Sequence, residues 1–241
     1  MIWKTALHYA QFWFVLALVS GQLTVEQQEE ILDLHNQYRG MVSPEAADML
    51  HMTWNESLAL VAQSYAVQCS WEHNPDATQL GENLFITTSQ LSINKAMANW
   101  FDERANYDYD SDSCLLNMCG HYTQIVWAKS KTVGCGARVC ETVQNLDFEG
   151  ATILVCNYYP QGNIEGVQPY EKGQPCSNCP QEMSECIEKT CAQTKSTTEE
   201  PSKCTWRTDT PWTEPAGSTG FINLSEVTLL LAGQMLSIIF Q

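Results

Sequence analysis

Basic residues are scarce in this chain of 241 residues: 12 Lys and Arg stand against 28 Asp and Glu, a formal net charge of -16. That balance excludes nucleic acid and heparin as partners, because neutralising phosphate or sulfate requires clustered cations. Catalytic signatures are missing too. There is no His-Glu-x-x-His helix motif for a zinc peptidase and no Gly-x-Ser-x-Gly elbow for a serine hydrolase. No internal repeat occurs, and no apolar run is long enough to read at once as a membrane span.

What is present begins with punctuation at both ends. Lys4, an apolar stretch from Phe12 to Val19, and the small residues Ser20 and Gly21 read as a secretory signal peptide over residues 1–21, cleaved after Gly21. At the far end, Val227 to Phe240 is apolar apart from Thr228, Gln234 and Ser237. Ala216, Gly217 and Ser218 with a short polar spacer precede it, the pattern of a GPI-anchor signal over residues 221–241, processed at one of those small residues. A short transmembrane helix is the competing reading, but the run is brief for a hydrocarbon core of about 30 Å.

Eleven cysteines behind a signal peptide belong to an oxidising compartment and are expected in disulfides. Six of them (Cys69, Cys114, Cys119, Cys135, Cys140 and Cys156) fall in residues 22–168, expected to form the main domain. Three bridges follow by number, and fifteen pairings are open. Cys176, Cys179, Cys186 and Cys191 form a compact C-x2-C-x6-C-x4-C group, with Pro175 before its first cysteine and Pro180 after its second, in a segment set at residues 169–192. A zinc knuckle competes with a two-disulfide reading, but its thiolates would have to survive an oxidising lumen. Cys204 is left over, free or paired between chains. It lies in a Thr-, Ser- and Pro-rich stretch, residues 193–220, too poor in aliphatic residues to fold, which reads as a stalk of the kind that carries O-glycans. Asn55-Glu56-Ser57 is an N-glycosylation sequon; a second, Asn223-Leu224-Ser225, would leave with the anchor signal.

Periodicity supplies the elements. Thr24 with Gln27 makes a capping box for a helix over about Val25 to Arg39. A second helix follows Asn55, and a third carries Ile93, Met97, Trp100, Phe101 and Arg104. Strands are expected at Tyr122 to Trp127, Val133 to Cys140 and Ala151 to Tyr158, where β-branched and aromatic residues gather between glycines. Helices followed by strands suggest an α+β layered domain.

Four strings carry a family resemblance: His35-Asn36-Gln37-Tyr38-Arg39, Gly81-Glu82-Asn83-Leu84, Gly120-His121-Tyr122-Thr123-Gln124-Ile125-Val126-Trp127, and Val155-Cys156-Asn157-Tyr158-Tyr159-Pro160-Gln161-Gly162-Asn163. They resemble the signatures of the CAP superfamily, the cysteine-rich secretory, antigen 5 and pathogenesis-related proteins, in family order. Pro169 to Pro175, the cysteine group, stalk and tail look most like its peptidase inhibitor 16-like branch. The resemblance implies a three-layer α-β-α sandwich followed by a small disulfide-rich hinge. It also implies a cleft where His73 and His121 bind a divalent cation, zinc or another, with Glu82 and Glu103 beside them. His35, four residues before Arg39 on one helix face, is expected to fix that helix against the sheet.

The expectation is an extracellular or cell-surface protein, secreted or lipid-anchored, that binds a protein partner without catalysis of its own. Peptidase inhibition is the form the resemblance suggests. Two alternatives stand beside it. Some members carry sterols or fatty acids, for which Phe85, Ile86, Leu91, Ile93 and Met97 are the candidate groove. Alternatively, His121 with Glu82 could work on a metal-bound water as a hydrolase.

Overall fold

The computed structural model describes residues 22–193, Phe148 excepted. The signal peptide, the stalk with Cys204, the second sequon, the anchor residues Ala216, Gly217 and Ser218 and the apolar tail lie outside the described residues.

The first helix, α1 (Val25–Gly40), starts at the capping box: the Thr24 hydroxyl accepts from the Gln27 amide at 3.2 Å and the Gln27 side chain accepts from the Thr24 amide at 2.9 Å. Asn55 caps α2 (Glu56–Ala66) through its side-chain oxygen, and Ser92 caps α3 (Ile93–Asp102) in the same way. A 3-10 turn, Glu103–Asn106, follows α3, and a short helix, α4, spans Gly120–Ile125.

Strands β1 (Thr53–Trp54), β2 (Gly81–Thr87), β5 (Thr132–Thr142) and β6 (Glu149–Tyr159) make one sheet in the order β1-β5-β6-β2. Only β1 runs parallel to its neighbour; β5, β6 and β2 are antiparallel, with Glu82 opposite Asn157 and Gly134 opposite Asn157 from the other side. Two small hairpins complete the described residues: β3 (Tyr107–Asp108) with β4 (Ser113–Cys114), and β7 (Glu185–Ile187) with β8 (Thr190–Ala192).

The sheet is sandwiched, giving three layers. On one face Ile31 and Leu34 of α1, Met97 and Trp100 of α3 and Tyr122 and Ile125 of α4 bury against Leu154, Cys156 and Tyr158. On the other, Ala62, Tyr65 and Ala66 of α2 cover Ile153, Val155 and Cys140. Alternation along β6 produces this split, since successive side chains leave opposite faces. Glycines decide how close α2 lies: a Cβ at Gly134 would overlap Ala59 N and Asn55 O, and one at Gly136 would overlap the Gln63 backbone.

Disulfides join Cys69 to Cys140, Cys114 to Cys119, and Cys135 to Cys156. Cys176 pairs with Cys186 and Cys179 with Cys191. The sulfurs of Cys176, Cys179 and Cys191 gather within 4.8 Å, the only metal-like cluster among the described residues. They are oxidised in pairs and so offer no thiolate to an ion. The segment carrying them packs on the sandwich, where Ala47 N donates to Glu171 O and His51 N to Cys191 O, and Tyr170 joins the larger core. No helix among the described residues is long and apolar enough to cross a membrane.

One expected element is different. Tyr122 to Trp127 is not a strand; most of it lies in α4. The Glu103 carboxylate accepts from the His121 and Tyr122 amides at 3.0 and 3.3 Å, and Thr123 Oγ1 donates to Cys119 O at 3.1 Å. Tertiary capping outweighs the β propensity of these residues.

Candidate functional site

The end of edge strand β2 brings the expected site residues together as two pairs. Glu82 leaves one face of the strand. Its Oε1 accepts from His73 Nδ1 at 2.8 Å and from the Asn74 amide at 2.9 Å, and its Oε2 from Asn157 Nδ2 at 3.3 Å. Asn83 leaves the other face and donates to the His121 carbonyl at 3.1 Å. His121 in turn faces Glu103, Nδ1 to Oε1 at 2.6 Å, and stacks near Trp100 with ring centroids 6.0 Å apart.

Both pairs have the same chemical sense. A carboxylate only accepts, so each Nδ1 carries the proton, and in the neutral ring Nε2 keeps a free lone pair. The carboxylates are well covered, with side chains 7% exposed for Glu82 and 15% for Glu103, whereas the rings reach solvent at 69% for His73 and 35% for His121. Hydrogen bonding to Glu82 holds the His73 pKa above its usual value, against the opposing pull of desolvation.

Asn163 connects the two pairs. It lines a cleft of about 240 Å³ with His73, Glu82, Gly81 and Gln124, and its side chain bonds Thr123 Oγ1 at 2.7 Å and Gly120 O at 2.9 Å, the residue before His121. His121 itself is not among that cleft's lining residues. The four candidate side chains do not form a group of three donor atoms within 4.8 Å of one another. Each pair is a carboxylate-oriented imidazole, and the four side chains do not make a closed three- or four-ligand zinc centre.

Residues that the expectations did not assign hold this site in place. Asn157, fully buried, steadies Glu82, and Gln124 receives the Gly162 amide at 3.0 Å. Both lie inside the quoted motifs, and a polar residue within the apolar run of β6 was a visible signal. Arg39 is wholly buried and donates to the carbonyls of Leu50, Ile125, Trp127 and Ala128, clamping the loop that follows α4. Burial pushes its pKa down to about 9, so it stays charged at neutral pH. His35 bonds Ile31 O at 2.7 Å and Tyr158 Oη at 2.9 Å, tying α1 to β6 as expected.

Four of the candidate lipid-groove residues gather on one side: Ile93 and Met97 are buried in the larger core and Phe85 and Leu91 pack against it, while Ile86 turns to the α2 side because neighbours on β2 face apart. A separate cleft of about 920 Å³ is lined by Asp48, Tyr109, Trp127 and Tyr170 among others and by none of the four candidate residues.

The model of the cysteine-rich secretory protein family, CAP, matches residues 32–158, which contain all four quoted histidines and glutamates. This chain belongs to the CAP family. Human Peptidase inhibitor 16 is 48% identical over 162 residues, covering 66% of this chain and 35% of that protein. Bovine GLIPR1-like protein 1 is 44% identical over 162 residues, covering 63% and 66%. The chain thus spans about a third of the length of the Peptidase inhibitor 16 relatives, at 35% of the human and 32% of the mouse protein. Among solved CAP structures, NaASP2 with Zn2+ is 29% identical at a TM-score of 0.56, covering 70% of this chain and 97% of that one. Na-ASP-1 is 26% identical at 0.58, covering 73% and 49%.

Proposed function

We propose that this CAP chain acts by binding an extracellular protein, a peptidase in the first instance, and that it modulates that partner without catalysis of its own. His73 and His121 would hold a divalent cation weakly through Nε2, with Glu82 and Glu103 as orienting partners. The observation that carries the reading is the commitment of both Nδ1 atoms to carboxylates beside rings open to solvent. When bound, such an ion would supply a positive charge and a bridge to a partner's donor atoms. Two protein ligands leave it exchangeable.

The names of the relatives support the peptidase partner, and a zinc-bearing CAP neighbour supports the ion. The surrounding organisation belongs to the same proposal: a signal peptide at 1–21, a main domain at 22–168, a hinge at 169–192, a stalk at 193–220 and an anchor signal at 221–241, with a glycan on Asn55. The Asn55 side chain caps α2 through its oxygen, which leaves the amide nitrogen for a sugar.

The test has two arms. Zinc titration by calorimetry should give a weak site lost in both His73→Ala and His121→Ala. Purified protein assayed against serine, cysteine and metallopeptidases should inhibit or bind at least one. A panel with no dose-dependent effect on any peptidase removes the peptidase reading, and unaltered zinc binding in both variants removes the ion.

A further inference from the structure

Next to His121 the chain makes a small convex feature that neither the core nor the site requires. Cys114 and Cys119 close a loop of four residues between them, and three of these are large, apolar and outward. Leu115 is 64% exposed, Leu116 83% and Met118 58%. Leu116 adopts φ 60° and ψ 18°, a left-handed conformation that a leucine avoids at a cost of roughly 1 kcal/mol. The loop is nevertheless held from several sides. Cys119 is buried, Asn106 Nδ2 donates to Met118 O at 3.1 Å, and the β3–β4 hairpin bears the Tyr107 Oη to Asp112 bond at 2.8 Å.

Its surroundings are acidic. Asp108, Asp110 and Asp112 stand exposed on the adjoining hairpin. Of the cations nearby, Arg104 lies over the Phe101 ring and Lys172 sits 3.6 Å from Asp110. An outward apolar knob cannot enclose a small ligand; it loses water by entering a partner's surface. The collar of aspartates selects against a second copy of this acidic chain and against anionic lipid, and favours a pocket with a basic rim.

We infer that the Cys114–Cys119 loop is a docking knob of this protein, and that it enters an apolar pocket on a cationic peptidase. The inference rests on the peptidase reading above and names the surface and the partner's chemistry. A scissile segment must lie extended, and Leu116 does not. The knob therefore plugs or flanks the pocket without being cleaved.

The experiment uses the full chain from a secretory cell line and measures binding to α-chymotrypsin and neutrophil elastase, with trypsin, whose primary pocket is acidic, as the control. Leu116→Asp should weaken binding by roughly tenfold or more, a single buried apolar anchor being worth that much. Leu60→Asp should leave it unchanged, because Leu60 is 68% exposed on the distant face of α2. Near-UV circular dichroism and an intact Cys114–Cys119 bridge by mass spectrometry verify the fold of each variant. Raising the salt from 0.15 to 0.5 M should loosen the complex. Peptidase binding that survives Leu116→Asp overturns the knob and leaves the peptidase reading standing. No binding to any peptidase overturns both. Binding to phosphatidylcholine or phosphatidylserine vesicles that Leu116→Asp abolishes overturns the protein partner in favour of a membrane.

Discussion

Lowering the pH should strip this fold of stability through one buried imidazole. His35 has no exposed surface, and burial lowers its pKa from 6.5 to about 4. Its Nδ1 meets the Ile31 carbonyl and must donate, so Nε2 must accept from the Tyr158 hydroxyl. A proton added at Nε2 would force the Tyr158 hydroxyl, which already accepts from Asn83, to give up its donor role there, and would place a charge beside Arg39. Because the folded value lies below the unfolded one, the unfolded chain takes up the proton first. The contribution is complete above about pH 6.5 and is lost as pH falls through the window down to about 4. At about 1.36 kcal/mol per pH unit the loss is about 3 kcal/mol. Guanidinium unfolding at intervals between pH 7.5 and 4, on the native protein and on His35→Gln, isolates the term. His51, lowered by burial, and His73, raised by Glu82, titrate in both proteins and cancel in the difference. The native protein should lose about 3 kcal/mol more than the variant across that window. Curves that run parallel to within about 0.5 kcal/mol would refute the assignment.

Three further outcomes are expected. Arg39→Met, which strips the carbonyls of Leu50, Ile125, Trp127 and Ala128 of their donor, should cost roughly 3 to 5 kcal/mol in chemical denaturation; a loss below about 1 kcal/mol would contradict the clamp. Gly134→Ala should destabilise by roughly 1 to 3 kcal/mol, since its Cβ meets α2 backbone that cannot step aside; a neutral change by thermal unfolding would mean the helix rides higher. Glu103→Gln should weaken zinc binding by roughly tenfold or more, read by competition with a chromophoric chelator, and an unaltered affinity would separate that carboxylate from the ion.

Local features were legible in the residues wherever local physics settles them. Thr24 and Gln27 announced α1, and Asn55 announced α2, because a cap is a contact over three residues. The β5 and β6 strands were visible as β-branched runs. The motifs pointed to the family and to an α-β-α sandwich, which the fold and its relatives bear out. Tyr122 to Trp127 misled because its composition favours a strand while a glutamate eighteen residues earlier caps it as a helix. The separation of Ile86 from Phe85 was not legible for a similar reason: a list of apolar residues carries no face until the strand is placed.

By itself, then, the sequence determined the capped helices, the strand runs, the even count of cysteines before Pro169 and, through the motif resemblance, two histidines and two glutamates to be looked for together. The tertiary structure alone decided which cysteine meets which, with Cys69 reaching Cys140 across 71 residues, which glutamate serves which histidine, and where Arg39 spends its donors. The division has a physical cause. Caps and periodicity are interactions between near neighbours, whereas these pairings follow from how the sheet edge, α3 and α4 pack, and no short stretch of chain encodes that alone.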